Sequence, residues 1–308
     1  MKIAIIGAGA MGSIFGSMLS NVSEVFLIDI NDEHVEEIRK NGLKVENVDG
    51  SSDTFRLMIT NRPGEIADKF ELVIIFTKSY NTRDAVHTAS SILGPGGTAL
   101  TLQNGIGNLE VMHQVLGFEV SVAGVTSHGG TYLGPGHVRH AGIGPTHIAN
   151  VPSKKTLIQK IAAIFNAAGI ETFLSDNVNS LIWGKLVINV GINALTGICR
   201  VPNGVIGKVS ECADIMKEAV FEAVAVADAL GMMLPYDDPV EQVKKVCEAT
   251  AENRASMLQD ILKGARTEID AINGAIVEKA DILGISTPVN RFLTRIIKAI
   301  EATENFRI

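Results

Sequence analysis

The chain has 308 residues, of which 46% are hydrophobic and 20% are charged, and its formal net charge at pH 7 is −7. This balance predicts a globular protein of two domains, and the negative charge argues against nucleic acid or an anionic membrane as a partner. The three cysteines form no Cys-x-x-Cys pair, which argues against a disulfide framework or a structural zinc site and favours a reducing cytoplasm.

The first 174 residues alternate between apolar runs and helical spacing, which predicts a doubly wound, Rossmann-type α/β domain. Strands are expected over residues 2–7, 24–29, 72–77, 97–102, 120–125 and 170–174. Helices are expected over 13–21, 34–40, 82–93, from about 108, and over 154–168. The Gly-, Pro- and His-rich stretch 127–148 predicts hairpins instead of crossovers.

Helical periodicity dominates residues 175–308, which predicts an all-α second domain. Helices are expected near 177–198, 208–230, 239–263, 267–283 and 289–303. Their apolar faces form either the core of this domain or the interface of a homodimer. No apolar run is expected to reach the roughly 20 residues of a membrane-spanning helix.

A glycine turn follows the first strand and opens the first helix, with the sequence Gly7-Ala8-Gly9-Ala10-Met11-Gly12. In this setting the first glycine permits the tight turn, the second admits the pyrophosphate, and the third lets the helix pack on the strand. The free N–H groups of the helix N-terminus then face the phosphates. The sequence therefore predicts a dinucleotide site.

Asp29 ends the second strand, where a carboxylate can bind the ribose hydroxyls of the adenosine. Because a carboxylate repels a 2′-phosphate, this residue favours NAD(H) over NADP(H). The alternative is that Asp29 or Asn31 caps the helix that follows.

The helix expected over 177–198 is almost wholly apolar, yet Lys185, Asn189 and Asn193 interrupt it at intervals of four residues. At 3.6 residues per turn, these side chains form one narrow polar stripe. A desolvated lysine has a lowered pKa, which suits it to proton transfer. The alternative is a lysine that extends to the surface beside two asparagines that join helices.

Asn253, Ser256 and Asp260 are expected on one face of the helix 239–263, as either a second functional set or a solvated surface. Glu268 comes at the start of the next helix, as either a counter-ion for Lys185 or an acid that the helix dipole favours. Thr267 and Asp270 there fit a helix-start cap.

Two further polar residues follow predicted strands, at the sheet edge where ligands bind in such folds. Lys78 follows strand 72–77 and Asn104 follows strand 97–102, although Asn104-Gly105 also fits a plain turn. The histidines of the stretch 127–148 lack the spacing of metal ligands, so no metal is expected.

Together these residues resemble the 2-dehydropantoate 2-reductase (ketopantoate reductase) family over nearly the whole chain. The matching segments are Gly7–Gly12, Lys78-Ser79, Gln103-Asn104-Gly105, Trp183-Gly184-Lys185-Leu186 with Asn189 and Asn193, Pro202-Asn203-Gly204, Asn253 with Ser256–Asp260, and Thr267–Asp270.

The resemblance implies an oxidoreductase of pantothenate biosynthesis that reduces 2-dehydropantoate with a nicotinamide cofactor, and a second domain like the C-terminal domain of 6-phosphogluconate dehydrogenase. It implies that Lys185 is the general acid and that Glu268 orients Lys185 and touches the cofactor ribose. Asn104 would lie between cofactor and substrate, and Gly130 would line the cofactor. The substrate would be held by Asn189, Asn193, Asn203, Asn253 and Ser256.

One feature departs from the family pattern, because NADPH-dependent members place an arginine at the end of the second strand. Here the sequence is Ile28-Asp29-Ile30-Asn31, which favours NADH as the cofactor, with NADPH as the alternative. The alternatives to this function are a related two-domain dehydrogenase of 2-keto or 3-hydroxy acids and a non-catalytic dinucleotide sensor.

Overall fold

A computed structural model describes residues 1–306, which divide into two compact units. The first unit contains Met1–Gln103 and Asn108–Val178. The second contains the chain from Asn179 onward together with the short segment Asn104–Gly107. The sequence predicts the domain boundary at residue 174. It does not predict that four residues inside the α/β region belong to the helical unit.

The first unit is built on an eight-stranded sheet in the order β12-β11-β8-β7-β6-β1-β2-β5. All neighbours are parallel except β8 and β11. The strands are β1 Lys2–Ile6, β2 Glu24–Ile28, β5 Met58–Thr60, β6 Phe70–Ile75, β7 Leu93–Thr101, β8 Ser121–Thr126, β11 Thr146–Ala149 and β12 Thr172–Ser175. The central strands β1 and β6 are apolar apart from Lys2 and Glu71 near their starts, because helices and loops cover both faces of the sheet.

Five helices belong to this unit, and buried apolar clusters fill the space on either side of the sheet. They are α1 Ala10–Ser20, α2 Asp32–Asn41, α3 Thr82–Ile92, α4 Asn108–Leu116 and α5 Lys155–Ala167. The parallel sheet with its crossover helices confirms the predicted Rossmann-type fold of the first domain.

A second sheet of four strands, in the order β4-β3-β10-β9, lies in the same unit. Its strands are β3 Leu43–Glu46, β4 Ser52–Phe55, β9 Gly129–Gly134 and β10 His137–Gly142. The predicted hairpin is the antiparallel pair β9–β10. The strands β3, β4 and β5 are not predicted, because each has only three or four residues.

The second unit consists of helices around an apolar core that includes Val187, Val220 and Ile276. The helices are α6 Val178–Cys199, α7 Asn203–Lys208, α8 Ser210–Ala229, α9 Pro239–Ala249, α10 Ser256–Leu262, α11 Asn273–Leu283 and α12 Pro288–Ala302. A 3₁₀ turn at Ile269–Ala271 precedes α11. The predicted helical C-terminal domain is confirmed.

One of the predicted helices is interrupted, and two others start later than predicted. The helix predicted over 239–263 is wrong, because the chain leaves α9 at Thr250 and resumes as α10 at Ser256. The hydroxyl of Thr250 donates to the carbonyl of Val246, and the carbonyl of Ala251 accepts from the backbone of Gly204. The first bond is local to the end of α9, and the second is a tertiary bond that takes up a carbonyl group which a continued helix would need. The helix predicted over 208–230 begins only at Ser210, and 267–283 starts with the 3₁₀ turn.

Helix α6 corrects the expectation about apolar runs, because its 22 residues are long and apolar enough to cross a membrane. About two thirds of that apolar stretch is buried inside the protein. Its apolar surface therefore belongs to the core of the second unit, where Leu186, Val187 and Val190 are almost fully buried.

Candidate active site

The three glycines of the turn have three different surroundings. Gly7 adopts φ +94°, and a Cβ on it would lie 2.6 Å from the backbone nitrogen of Thr77. A Cβ on Gly12 would overlap the carbonyl oxygen of Gly7, whereas nothing lies within 4 Å of a Cβ on Gly9. The turn is thus closed on the protein side and open at Gly9, as a cradle for a pyrophosphate requires.

Helix α1 begins at Ala10 without a side-chain cap and without an acid in its first turn, so its first N–H groups are available to an anion. Two side chains bind the carbonyl oxygen of Ala8 and so hold the turn in place. The hydroxyl of Ser13 donates to this oxygen at 2.6 Å, and Nε2 of His34 lies 2.7 Å from it.

His34 is a structural residue that the sequence analysis does not single out. The backbone N–H of Gly136 donates to its Nδ1 at 2.9 Å, so Nε2 carries the proton that goes to Ala8. Burial lowers the pKa of His34, which favours this neutral form. No signal in the sequence distinguishes it from an ordinary residue of a helix.

Gly130 lies on β9 directly against the start of α1. A Cβ on it would meet Cδ1 of Ile14 at 2.7 Å and Sδ of Met11 at 3.1 Å. Gly130 is therefore beside the glycine turn, and a side chain there would displace the ends of Ile14 and Met11.

Lys78 follows Thr77, which itself contacts Gly7 across the ends of β1 and β6. The side chain of Gln103 donates to the carbonyl of Thr77 at 2.7 Å and to Oγ1 of Thr82 at 2.8 Å. Gln103 therefore fixes the loop that carries Lys78.

Asp29 sits at the end of β2, half-buried, and its Oδ1 accepts from the backbone N–H of Asn31 at 2.9 Å. Asn31 is the N-cap of α2, because its side chain accepts from the backbone N–H of His34. The capping role thus belongs to Asn31, and Asp29 supports that turn. The glycine turn is adjacent, since the N–H of Gly7 donates to the carbonyl of Ile28.

In the second unit, Lys185, Asn189 and Asn193 follow one another on successive turns of α6, as their spacing predicts. Asn193 is buried, and Lys185 and Asn189 are partly exposed. Burial lowers the pKa of Lys185 to about 8, and the charge of Glu268 opposes that shift. The ammonium is therefore both desolvated and close to a carboxylate.

Glu268 is buried, with 8% of its surface exposed, and it precedes the 3₁₀ turn. Its neighbours are held in place by other contacts. The backbone N–H of Thr267 donates to Glu301, and Asp270 is an exposed partner of Arg266 and Lys298. Asp270 therefore has a structural role, and Glu268 is the carboxylate that acts on Lys185.

Asn104 begins the segment Asn104–Gly107, which packs on the turn that follows Glu268. The N–H of Ile106 donates to the carbonyl of Ala271 at 3.2 Å, and a Cβ on Gly105 would overlap the same oxygen. The structure thus brings the Asn104 segment and the Glu268 segment together.

Asn203 starts α7, and its side chain donates to Oγ1 of Thr250 at 2.9 Å. Its Oδ1 is buried and accepts no hydrogen bond from the part of the chain that the structure describes. The backbone N–H of Asn203 donates to the carbonyl of Asn253 at 3.0 Å. The predicted common face of Asn253 and Ser256 is wrong, because Asn253 lies in the exposed turn between α9 and α10, and Ser256 opens α10.

The histidines of the stretch 127–148 have separate partners. Nδ1 of His128 lies 2.8 Å from Nε2 of His140, His137 contacts Glu46, and His147 stacks on Phe173. Within residues 1–306, no group of three or more His, Cys, Asp or Glu side chains is arranged to hold a metal ion.

Comparison with known families gives two adjacent matches along the chain. Residues 3–153 match the model of the ketopantoate reductase (PanE/ApbA) family, and residues 177–301 match the model of its C-terminal domain. The 2-dehydropantoate 2-reductase of Pyrococcus abyssi (strain GE5 / Orsay) is 37% identical over 305 residues, which cover 99% of each chain. That of Halobacterium salinarum is 34% identical over 300 residues, which cover 97% of this chain and 98% of the relative.

Two solved structures are also similar to this chain over nearly its whole length. A PanE/ApbA-family ketopantoate reductase from Ralstonia eutropha JMP134 superposes with a TM-score of 0.91 at 34% identity, covering 99% of this chain and 100% of that one. A D-mandelate dehydrogenase in complex with NADH and anilino(oxo)acetate has a TM-score of 0.92 at 33% identity with the same coverage.

Proposed function

Because the chain belongs to the ketopantoate reductase family, we propose that it is an oxidoreductase that reduces 2-dehydropantoate to pantoate with a nicotinamide dinucleotide. The observation that carries this proposal is the desolvated ammonium of Lys185 beside the buried carboxylate of Glu268. A protein that only senses a dinucleotide needs neither group.

In the proposed reaction Lys185 acts as the general acid. The bound cofactor supplies a hydride to the carbonyl carbon of the substrate. Negative charge then develops on the carbonyl oxygen, and the Nζ of Lys185 donates its proton there, so that the product is the alcohol. With a pKa of about 8, Lys185 is mostly protonated at neutral pH and still a good acid.

Glu268 is proposed to orient the ammonium of Lys185 and to contact the cofactor ribose, and Asn104 to lie between cofactor and substrate. Both proposed roles are supported by the contact of the 104–107 segment with Ala271, because this contact brings the segments of Asn104 and Glu268 together.

The dinucleotide is proposed to bind the cradle Gly7–Gly12, with Lys78, Gly130 and Asp29 around it. The open space at Gly9 and the uncapped first turn of α1 fit this group. Asn189, Asn193, Asn203, Asn253 and Ser256 are proposed to hold the hydroxyl and carboxylate of the substrate. The buried Oδ1 of Asn203 supports its part, since a substrate hydroxyl is a donor for it.

The three free cysteines support a cytoplasmic location. The proposed homodimer would use the helical unit, where Phe221 and Phe292 are more than half exposed.

The test of the proposed function is the oxidation of reduced cofactor, followed by absorbance, with 2-dehydropantoate and with an aromatic 2-keto acid of the mandelate type. We expect kcat/KM for 2-dehydropantoate to exceed kcat/KM for the aromatic 2-keto acid by at least about tenfold. The likeness to D-mandelate dehydrogenase makes the aromatic acid the sharpest competitor. A preference for that acid would assign another substrate, and tight cofactor binding without turnover would support a sensor.

We further propose that NADH is the preferred cofactor, because the carboxylate of Asp29 repels a 2′-phosphate. We expect kcat/KM to be about tenfold higher with NADH than with NADPH, and Asp29→Asn to narrow the difference mainly through the KM for NADPH. The amide keeps the Oδ1 that accepts from Asn31. Asp32→Asn, at the exposed start of α2, is the matched control and should leave the ratio unchanged. A wild-type preference for NADPH would overturn this assignment.

A further inference from the structure

The peptide bond that joins Gly184 to Lys185 is in contact with the loop that follows α8. The hydroxyl of Tyr236 donates to the carbonyl oxygen of Gly184 at 2.8 Å. A Cβ on Gly184 would lie 2.6 Å from Cγ of Pro235 and 3.3 Å from Cε1 of Tyr236. Both residues of this loop therefore rest directly on the backbone of α6, one residue before the lysine.

We propose that Tyr236 is a positioning residue for Lys185, holding the Gly184–Lys185 peptide bond so that the ammonium stays beside Glu268. This role rests on the proposed function of Lys185 as the acid of the reaction. Neither Tyr236 nor Pro235 belongs to the motifs that carry the family resemblance.

The hydrogen bond is suited to fix the orientation of the lysine. The carbonyl of Gly184 shares its peptide plane with the backbone nitrogen of Lys185, so a donor on that oxygen restrains the Cα of the lysine. Inside a helix this oxygen already accepts one N–H bond along the axis. A second donor from the side adds a restraint that the helix alone does not supply.

Tyr236 is a constant donor. Burial raises the pKa of its phenol well above the usual range, so the hydroxyl stays protonated wherever Lys185 titrates. The fit also explains the glycine at position 184, because any side chain there would displace Pro235.

The contact bears on the electrostatics of the lysine as well. Lys185 owes its lowered pKa to burial, against the charge of Glu268. When the peptide bond is no longer restrained, the ammonium becomes more accessible to water and its pKa rises toward the ordinary value.

The test is Tyr236→Phe, which keeps the ring and removes only the hydroxyl. We expect kcat for reduction to fall about tenfold while the Kd for the dinucleotide stays within about twofold, because the interaction acts on the transition state. The pH at which the rate is half-maximal should move upward from about 8. Thr294→Val is the matched control, since its buried hydroxyl likewise donates to a helix carbonyl, that of Asn290.

A second variant disturbs the same contact from the side of α6, so that the test does not depend on Tyr236→Phe alone. Gly184→Ala displaces the Pro235–Tyr236 loop and should give the same kinetic pattern, whereas Gly207→Ala should not, since its Cβ would only reach 3.6 Å from Cβ of Cys247. Unchanged kcat and unchanged pH dependence in both Tyr236→Phe and Gly184→Ala would overturn the proposal.

A readout that does not depend on turnover separates this inference from the proposed function. The rate at which an acylating reagent modifies Lys185, measured by mass spectrometry against pH, reports the ionisation of the lysine in folded protein. A midpoint that rises in Tyr236→Phe supports the positioning role even if no keto acid is reduced, and an identical midpoint contradicts it.

Discussion

Replacing Lys185 by alanine is expected to lower kcat for reduction of 2-dehydropantoate by about 10³-fold, within the range that general acid catalysis contributes. The dinucleotide should still bind with a Kd within about twofold of the wild-type value, because its cradle lies in the first unit. Lys208→Ala, an exposed lysine at the end of α7, is the matched control and should behave as wild type.

The pH dependence of the wild-type rate checks the same role. A general acid must be protonated, so the rate of reduction should fall as the pH rises through about 8, the pKa of Lys185. The residual activity of Lys185→Ala should lack this decline. If the variant retains wild-type turnover, or the same alkaline decline, another group donates the proton.

The second large effect is expected at the glycine turn, where two alanine variants should fail in different ways. Gly12→Ala places a methyl group onto the carbonyl oxygen of Gly7, so the turn must move. We expect this variant to lose about 1–3 kcal/mol of unfolding free energy, as overpacked sites do, together with its cofactor affinity.

Gly9→Ala should instead fold normally, because nothing lies within 4 Å of the added Cβ. Its Kd for the dinucleotide should nevertheless rise by at least about tenfold, since the methyl group occupies the approach of the pyrophosphate. Thermal unfolding and cofactor titration measure the two effects. Gly64→Ala, which also has open space around its Cβ, is the control, and wild-type affinity in Gly9→Ala would show that the cofactor does not bind there.

Much of the fold could be predicted because its buried elements leave strong patterns. After Lys2, β1 is a continuous apolar run that breaks into glycines, and α6 shows its polar stripe against an apolar background. β4, with the sequence Ser-Asp-Thr-Phe, has no such pattern, because it is an exposed edge strand held by pairing with β3. Pairing between strands is a tertiary interaction, which local periodicity does not encode.

The same distinction applies to the site. The spacing of Lys185, Asn189 and Asn193 on one helix is a local property and follows from helical geometry. The proximity of Glu268 to Lys185 joins segments far apart in the chain, so the residues alone left Glu268 as either a counter-ion or a first-turn acid, and the family resemblance favoured the counter-ion. Asn253 shows the limit of periodicity, because hydrogen bonds from Asn203 and Gly204 to the 250–253 turn end the helix on which its predicted face depended.

The membership of Asn104–Gly107 in the second unit has a consequence for how the protein is made. Ile106 leaves the ribosome long before Ala271, the residue whose carbonyl it binds, and at ordinary rates of synthesis the interval is roughly ten to thirty seconds. During that time the first unit can fold, but this loop has no partner. Dividing the polypeptide at Val178 would therefore separate Ile106 from Ala271, because the helical unit includes a segment that is synthesised within the α/β unit.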